Sequence, residues 1–372
     1  MMRRPNTIAS LSGILAIGAG YVYFLIFAQF AFLRLAQADG LGPSDMRLMM
    51  GTMGLAGVLT SLGIARVFGK PRPLLLAGFA LCAVAALLAL SPGKPGMRCG
   101  EATLIGIGLG ITTVGLAAFA PLFFAPAHRG LQIGLGTGLA YGLCNIPAVF
   151  AGTPVFQSWV AIGACTAGIA AIYSHPDLDA SKPPIPDLTP SLKAPPFAPL
   201  VALFLALVWL DSGAFYTMQN TPELNRYGWA TPGLQWTNAA IHLGTACIAG
   251  LWLDRGGLSA LLATAYLCLA VAAGLVSFPQ NPAAPAVHWL YATGVSLYST
   301  ALVFVPSLGA RSASRRTALV RAGILYAVAG WIGSALGIGM AQDLHRIPVW
   351  FLGLSGGMIS CSLFYANRSN ET

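Results

Sequence analysis

The chain has 372 residues, of which 56% are hydrophobic and only 8% charged, a balance that a water-facing surface of this extent does not tolerate. Its net charge of +9 comes from basic residues set in short segments between long apolar runs, which argues for membrane topology and against a nucleic-acid-binding patch. Long Leu-, Ala- and Gly-rich runs exclude a transmembrane barrel, and the seven cysteines, most of them inside those runs, give neither a disulfide framework nor zinc spacing.

The first apolar run, 8–33, is too long for a signal-peptide core and has no cleavage site after it, so it reads as a retained first span. Breaks at Pro, Gly and charge clusters then predict five more spans at 46–68, 73–91, 102–125, 130–150 and 153–173. A polar, Pro-rich segment at 175–196 follows and reads as a flexible connector. Beyond it come runs at 197–219, 232–253, 258–278, 285–308, 318–341 and 347–366. The expected fold class is an all-α polytopic membrane protein with twelve transmembrane helices in two six-helix pseudo-repeats. The domain reading is an N-terminal bundle at 1–174, the connector at 175–196 and a C-terminal bundle at 197–372. An echo of Leu81-Cys82-Ala83 in Leu267-Cys268-Leu269 supports the repeat.

An even number of spans puts both termini on one side. Of the 20 Lys and Arg, only Arg34, Arg47, Lys94, Arg98, Arg226 and Arg346 fall on the other side. Positive residues concentrate on cytoplasmic loops, so the termini and connector are expected in the cytoplasm of a bacterial inner membrane.

At the end of the eighth run stands Gly250-Leu251-Trp252-Leu253-Asp254-Arg255-Gly256-Gly257. Gly250 allows close helix approach, Asp254 is suited to the N-terminus of a helix in the opposite half, and Gly257 suits a tight turn. The stretch resembles the G-x-x-x-D-R-x-G loop signature of the major facilitator superfamily, in which Gly250, Asp254, Arg255 and Gly257 form a gating motif. The corresponding copy at 62–69 departs from the pattern, with Arg66 at the acidic position. The resemblance implies a two-bundle transporter whose spans 1, 4, 7 and 10 line the centre and whose spans 2, 5, 8 and 11 flank it.

The polar residues inside the runs mark a central site. Asp211 lies well inside the seventh run, where an ionised carboxylate costs about 2.5–3.5 kcal/mol on insertion scales unless it faces protein or water. Helical spacing sets it beside Val208, Phe215 and Met218. Gln235, Asn238, His242 and Thr245 form a stripe on span 8, and Trp289, Thr293, Ser296 and Thr300 another on span 10. Gln29 and Tyr21 on span 1, and Tyr141 and Asn145 on span 5, are lesser candidates for the substrate cavity, for each of which an interhelical hydrogen bond is the favoured reading. Asp211 and His242 lie within about a turn of the same depth and are expected to share a proton or a water during coupling. The plainer alternative is that Asp211 is bonded by Ser212 or a tyrosine.

The function expected is secondary active transport of a small neutral or cationic solute by alternating access, with protons as coupling ion, the bilayer as environment, a monomer as the unit and no nucleic acid as partner. No nucleophile and base pair and no phosphate loop is visible, so neither an enzyme nor a cofactor is expected. A copper importer of the same superfamily is the alternative, with Met46, Met49, Met50, Met53, Met218, His242 and Cys247 as soft ligands. A non-transporting membrane sensor or assembly factor is another.

Overall fold

The computed structural model describes residues 7–67, 70–176, 178–179, 196–277, 284–309, 315–344 and 346–371, the last ten of these and 284–285 by their backbone alone. Every regular element among them is helical. We label the long helices α1 (Thr7–Ala38), α2 (Pro43–Val67), α3 (Pro71–Leu88), α4 (Pro95–Phe123), α5 (Arg129–Cys144) and α6 (Pro154–Ser174). The labels continue with α7 (Phe197–Asn220), α8 (Pro232–Asp254), α9 (Leu258–Val276), α10 (Ala284–Phe304), α11 (Arg315–Leu344) and α12 (Val349–Glu371). Nine of them, all but α5, α8 and α12, are long and apolar enough to cross a membrane. Two carry π-helical stretches, Tyr23–Ala31 in α1 and Tyr326–Ile332 in α11.

Proline sets most of the starts. It occupies the first turn of α2, α3, α4, α6 and α8, where its missing N–H has no intrahelical acceptor to lose. Thr153 and Thr231 cap α6 and α8 through their side-chain oxygens. The expected fifth span stops early: α5 ends at Cys144, and Pro147 starts a separate short helix, Pro147–Phe150. The fourth begins early, at Pro95, which draws Arg98 into the helix.

Packing follows a pattern. α1 packs on α5 and α6, α4 on α2 and α3, and α3 on α6. Later in the chain α7 packs on α11 and α12, α10 on α8 and α9, and α9 on α12. Between these groups the broad contacts are α5 on α8 and α2 on α11. Glycines let the helices approach closely: Gly106 lies on Met53 and Gly57 of α2, Gly134 on Ala246 of α8, and Gly337 on Trp209 and Gly213 of α7. The most enclosed helices are α10 and α4, with 89% and 78% of their apolar windows buried, followed by α1 at 67% and α7 at 50%. The other five of the nine apolar spans reach 44% at most, whereas α5, outside that set, has ten of its 16 residues buried.

The connector is tied down where it begins. Arg72 donates to the carbonyl of His175 at 2.5 Å, Asp179 accepts from the Arg72 N–H at 3.1 Å, and the His175 ring meets Phe123 edge-on at 5.1 Å. Its remainder, 180–195, lies outside the described residues, as does Gly69 of the degraded motif.

Candidate functional site

Asp211 sits near the middle of α7 and accepts hydrogen bonds from two tyrosines of α10, Tyr291 at 2.5 Å to Oδ1 and Tyr298 to Oδ2. Both tyrosines are buried, whereas Asp211 keeps part of its surface accessible. Of the two partners in the plainer alternative, tyrosine is the one that holds Asp211, whereas Ser212 is bonded to Ser334 of α11, at 3.0 Å. Tyr291 and Tyr298 were not among the residues singled out from the sequence. They are seven residues apart on one helix and therefore share a face, which is the signal they offer.

His242 does not join Asp211. Its Nδ1 is 2.8 Å from the Ser296 hydroxyl, and its ring stacks on Tyr141 at 4.6 Å with the planes 13° apart. Tyr141 meets Tyr21 of α1 at 6.1 Å, and the Tyr21 hydroxyl reaches the carbonyl of Ser299 at 3.5 Å. Thr137 of α5 and Thr300 of α10 share a hydrogen bond at 3.1 Å. Helices from both parts of the chain thus meet around the level of Asp211.

Several expected cavity residues are used otherwise. Gln235 and Asn238 donate to the carbonyls of Trp229 and Gly228 at 2.7 and 2.8 Å, so they fasten the segment ahead of α8 rather than line a cavity. Asn145 donates to the Tyr141 carbonyl at 2.9 Å and finishes α5. Met218 is wholly buried in the core, and Trp289 is 51% exposed on the outer surface, away from the centre. Gln29, Thr245 and Thr293 are half-buried. Phe215 does face the centre, with its ring 5.8 Å from Phe30, 6.1 Å from Trp229 and 6.0 Å from Tyr291. Phe150 stacks on Trp229 at 6.1 Å and meets Phe30 at 6.3 Å, so five aromatic rings from both parts gather at the end away from the connector.

At the connector end, Asp254 makes the contact that its motif implies. Its carboxylate accepts the Gly130 N–H at 2.6 Å and the Leu131 N–H at 2.9 Å, at the N-terminus of α5. Unpaired N–H groups and the positive end of the helix dipole favour an anion there. Gly250 makes the approach possible, since a Cβ at that position would lie 2.6 Å from Cα of Leu131 and closer still to the Gly130 carbonyl. The tight turn belongs to Gly256, with φ of 84°, rather than to Gly257, whose lack of a side chain makes room for the Trp252 indole. Arg255 is exposed.

The soft-ligand set does not assemble. Met49 and Met53 are buried core residues of α2, with Met46 and Met50 half-buried beside them on the same helix. Met218 packs in the core of α7, His242 is engaged with Ser296, and Cys247 lies half-buried against Gly134. No group of three or more His, Cys, Asp or Glu suited to a metal occurs among the described residues.

A second charged cluster went unread in the sequence. Arg98, 1% exposed, donates to Asp39 at 2.5 and 2.8 Å, to Glu101 at 2.6 Å and to the carbonyls of Ala89 and Ser91. Burial pushes the Asp39 carboxyl up, but the Arg98 guanidinium and the Gly93 N–H outweigh it and hold the group below its usual range. The cluster ties the end of α1 to the turn between α3 and α4.

The fold is that of a known class of membrane transporter. Among the solved structures that match are three that align over nearly the whole chain, each at 14% identity. The human organic anion transporter MFSD10 (TETRAN) gives a TM-score of 0.70, covering 98% of this chain and 100% of its own. A bacterial homologue of the iron transporter ferroportin in its outward-facing state gives 0.67 with full coverage of both chains. FucP, a major facilitator superfamily transporter in the outward conformation, also gives 0.67, covering 98% and 99%. The chain has the major facilitator superfamily fold. No protein-family model matches the sequence, and no curated protein does.

Proposed function

We propose that this chain is a secondary active transporter that moves a small neutral or cationic solute by alternating access, with protons as the coupling ion and Asp211 as the coupling carboxylate. The observation that carries the reading is the position of Asp211: enclosed by α10, mostly buried and, among the described residues, unaccompanied by a cation in its hydrogen bonds. An acid kept at such depth is costly and faces a polar or watered interior. The twelve-span, two-repeat architecture draws support from the packing. Shifting helix numbers by six turns α1 on α5 into α7 on α11, and the contact of α5 with α8 into that of α11 with α2.

Alternating access draws support from contacts between the halves at both ends. Asp254 on the α5 N-terminus lies at one end, and Phe30 on Phe215 with Phe150 on Trp229 at the other. The basic residues on the connector side favour a bacterial inner membrane with cytoplasmic termini. The test is proton flux in proteoliposomes. Wild-type protein is expected to move protons in response to a transported solute, and Asp211→Asn to lose that movement while remaining folded and inserted. Wild-type accumulation by Asp211→Asn overturns the assignment.

A further inference from the structure

Most of the hydrogen-bond donors that a sugar-like solute would need are already engaged: the amide N–H groups of Gln235 and Asn238 on backbone carbonyls, Ser296 with His242 and Thr300 with Thr137, while the side-chain oxygens of Gln235 and Asn145 are buried without a hydrogen-bond partner among the described residues. What stays available around Asp211 is a negative charge and aromatic surface. Phe215 lies one turn from the carboxylate and is parallel to Tyr291, at 6.0 Å and 13°, with the Trp229 ring edge-on at 6.1 Å. Tyrosine hydroxyls orient a carboxylate but leave its charge uncompensated, and ring faces attract cations.

The groups acting on Asp211 are the hydroxyls of Tyr291 and Tyr298. Of the other titratable groups on helices packed against α7, His288 of α10 meets the Trp229 ring edge-on at 4.7 Å and donates from Nε2 to the Leu224 carbonyl at 2.7 Å, and the rest lie elsewhere. Arg321 sits over Phe197, fourteen residues away and about 21 Å along the helix at 1.5 Å per residue, with Arg315 and Arg316 at the same end. Tyr266 is bonded to the Leu352 carbonyl, with Cys268 on the same helix, and Tyr326 lies beside Tyr21. Asp343 is in the last turn of α11, and Glu223, Arg226 and Tyr227 follow the end of α7. From the other half, Tyr141 is the titratable group that approaches, and it carries His242 on its face.

We infer that the solute is a monovalent organic cation with apolar flanks, a quaternary or protonated amine, bound as counter-ion to Asp211 against Phe215, Tyr291 and Trp229. The inference rests on the reading of Asp211 as the coupling acid. A single carboxylate holds one positive charge at a time. Cation binding converts the carboxylic acid to the carboxylate–cation pair and releases one proton to water, so the protein exchanges one proton for one cation.

The experiment adds tetramethylammonium, tetraethylammonium, benzyltrimethylammonium and tetraphenylphosphonium to detergent-solubilised protein in weakly buffered solution and measures proton release. At a pH where the acid is protonated before the cation binds, at least one cation is expected to release about one proton per wild-type chain and none from Asp211→Asn. Its apparent affinity should weaken about tenfold per pH unit where the acid is protonated. Release by none of the four overturns the inference, as does undiminished release from a folded Asp211→Asn. Proteoliposomes separate the two readings: proton movement driven by neutral polyols and not by the cations leaves the coupling role of Asp211 standing and removes the cation. Movement with neither removes both.

Discussion

Replacing Asp254 by Asn isolates the polar clasp at the connector end. The carboxylate holds two N–H groups of the α5 N-terminus at 2.6 and 2.9 Å. Asparagine keeps one acceptor oxygen and presents an NH2 to the other N–H, so one charge-assisted bond, worth about 1.5–3 kcal/mol, is lost. The attraction of a full charge to the helix end, about 0.3–1 kcal/mol, goes with it. Asp254 is half-buried, and discounting the sum for solvent leaves about 2 kcal/mol, a shift of about 30-fold toward the state in which α5 and α8 separate. Cys247 is a built-in reporter, because its backbone lies 3.5 Å from where a Cβ on Gly134 would sit. Labelling by N-ethylmaleimide, followed by peptide mass spectrometry, is expected to quicken at Cys247 by about ten- to thirtyfold, with Cys99 and Cys268 as internal controls. An unchanged Cys247 rate in a folded variant refutes the clasp.

Other perturbations separate packing from function. Gly57 lies beneath the Trp331 indole, so Gly57→Ala overpacks the α2–α11 contact at a cost of about 1–3 kcal/mol, read as a lower Tm that Trp331→Ala partly restores. Arg98→Leu strands the Asp39 and Glu101 carboxylates, and a loss of about 3–5 kcal/mol is expected in thermal unfolding. Asp39 is held below the usual carboxylate range, so its stabilisation is present above that range and fades as pH falls through the lower folded value. Wild-type Tm should therefore drop on acidification below about pH 4 more steeply than that of Asp39→Asn. Asn238→Ala removes a backbone anchor, at about 1 kcal/mol in Tm, and leaves solute affinity unchanged; a large affinity loss would return it to the binding surface.

Nine of the helices were legible because a membrane span announces itself by length and apolarity, and the Asp254 clasp because its motif states a chemistry that one helix end satisfies. The binding face was less so. A stripe through Trp289, Thr293 and Ser296 assumes that a span has one inward face, yet α10 is enclosed almost all round, with Trp289 exposed beyond its enclosed part. Tyr291 and Tyr298 read as ordinary aromatics until α7 is placed against them, since a pairing across 80 or more residues leaves no local pattern. Gln235 and Asn238 misled for a related reason: a polar stripe has the same spacing whether it meets a cavity or a neighbouring turn. Arg98 was hidden by a boundary, because the fourth helix begins at Pro95 and carries the guanidinium inside.

The two contacts that hold the halves together differ in kind, and that difference bears on how the protein works. In the proposed two-repeat arrangement, α5 on α8 and α11 on α2 are counterparts, but among the described residues only the first has a carboxylate on a helix N-terminus. Arg66 stands where the second would need its acid, and the packing described there includes Trp331 over Gly57 and Gly323 against the Ser61 carbonyl. An ionic clasp weakens when its acid is protonated or replaced, whereas a contact of ring and glycine is indifferent to charge. Opening toward the connector is therefore governed on one side by electrostatics and on the other by shape, so Asp254→Asn and Gly57→Ala should loosen the same end through independent terms. Because the sites share no partner, the double variant is expected to show the sum of the two single effects on Cys247 labelling, in free energy, to within about 0.5 kcal/mol. A larger departure from additivity would show that the two contacts break as one unit, which would remove the distinction drawn between them.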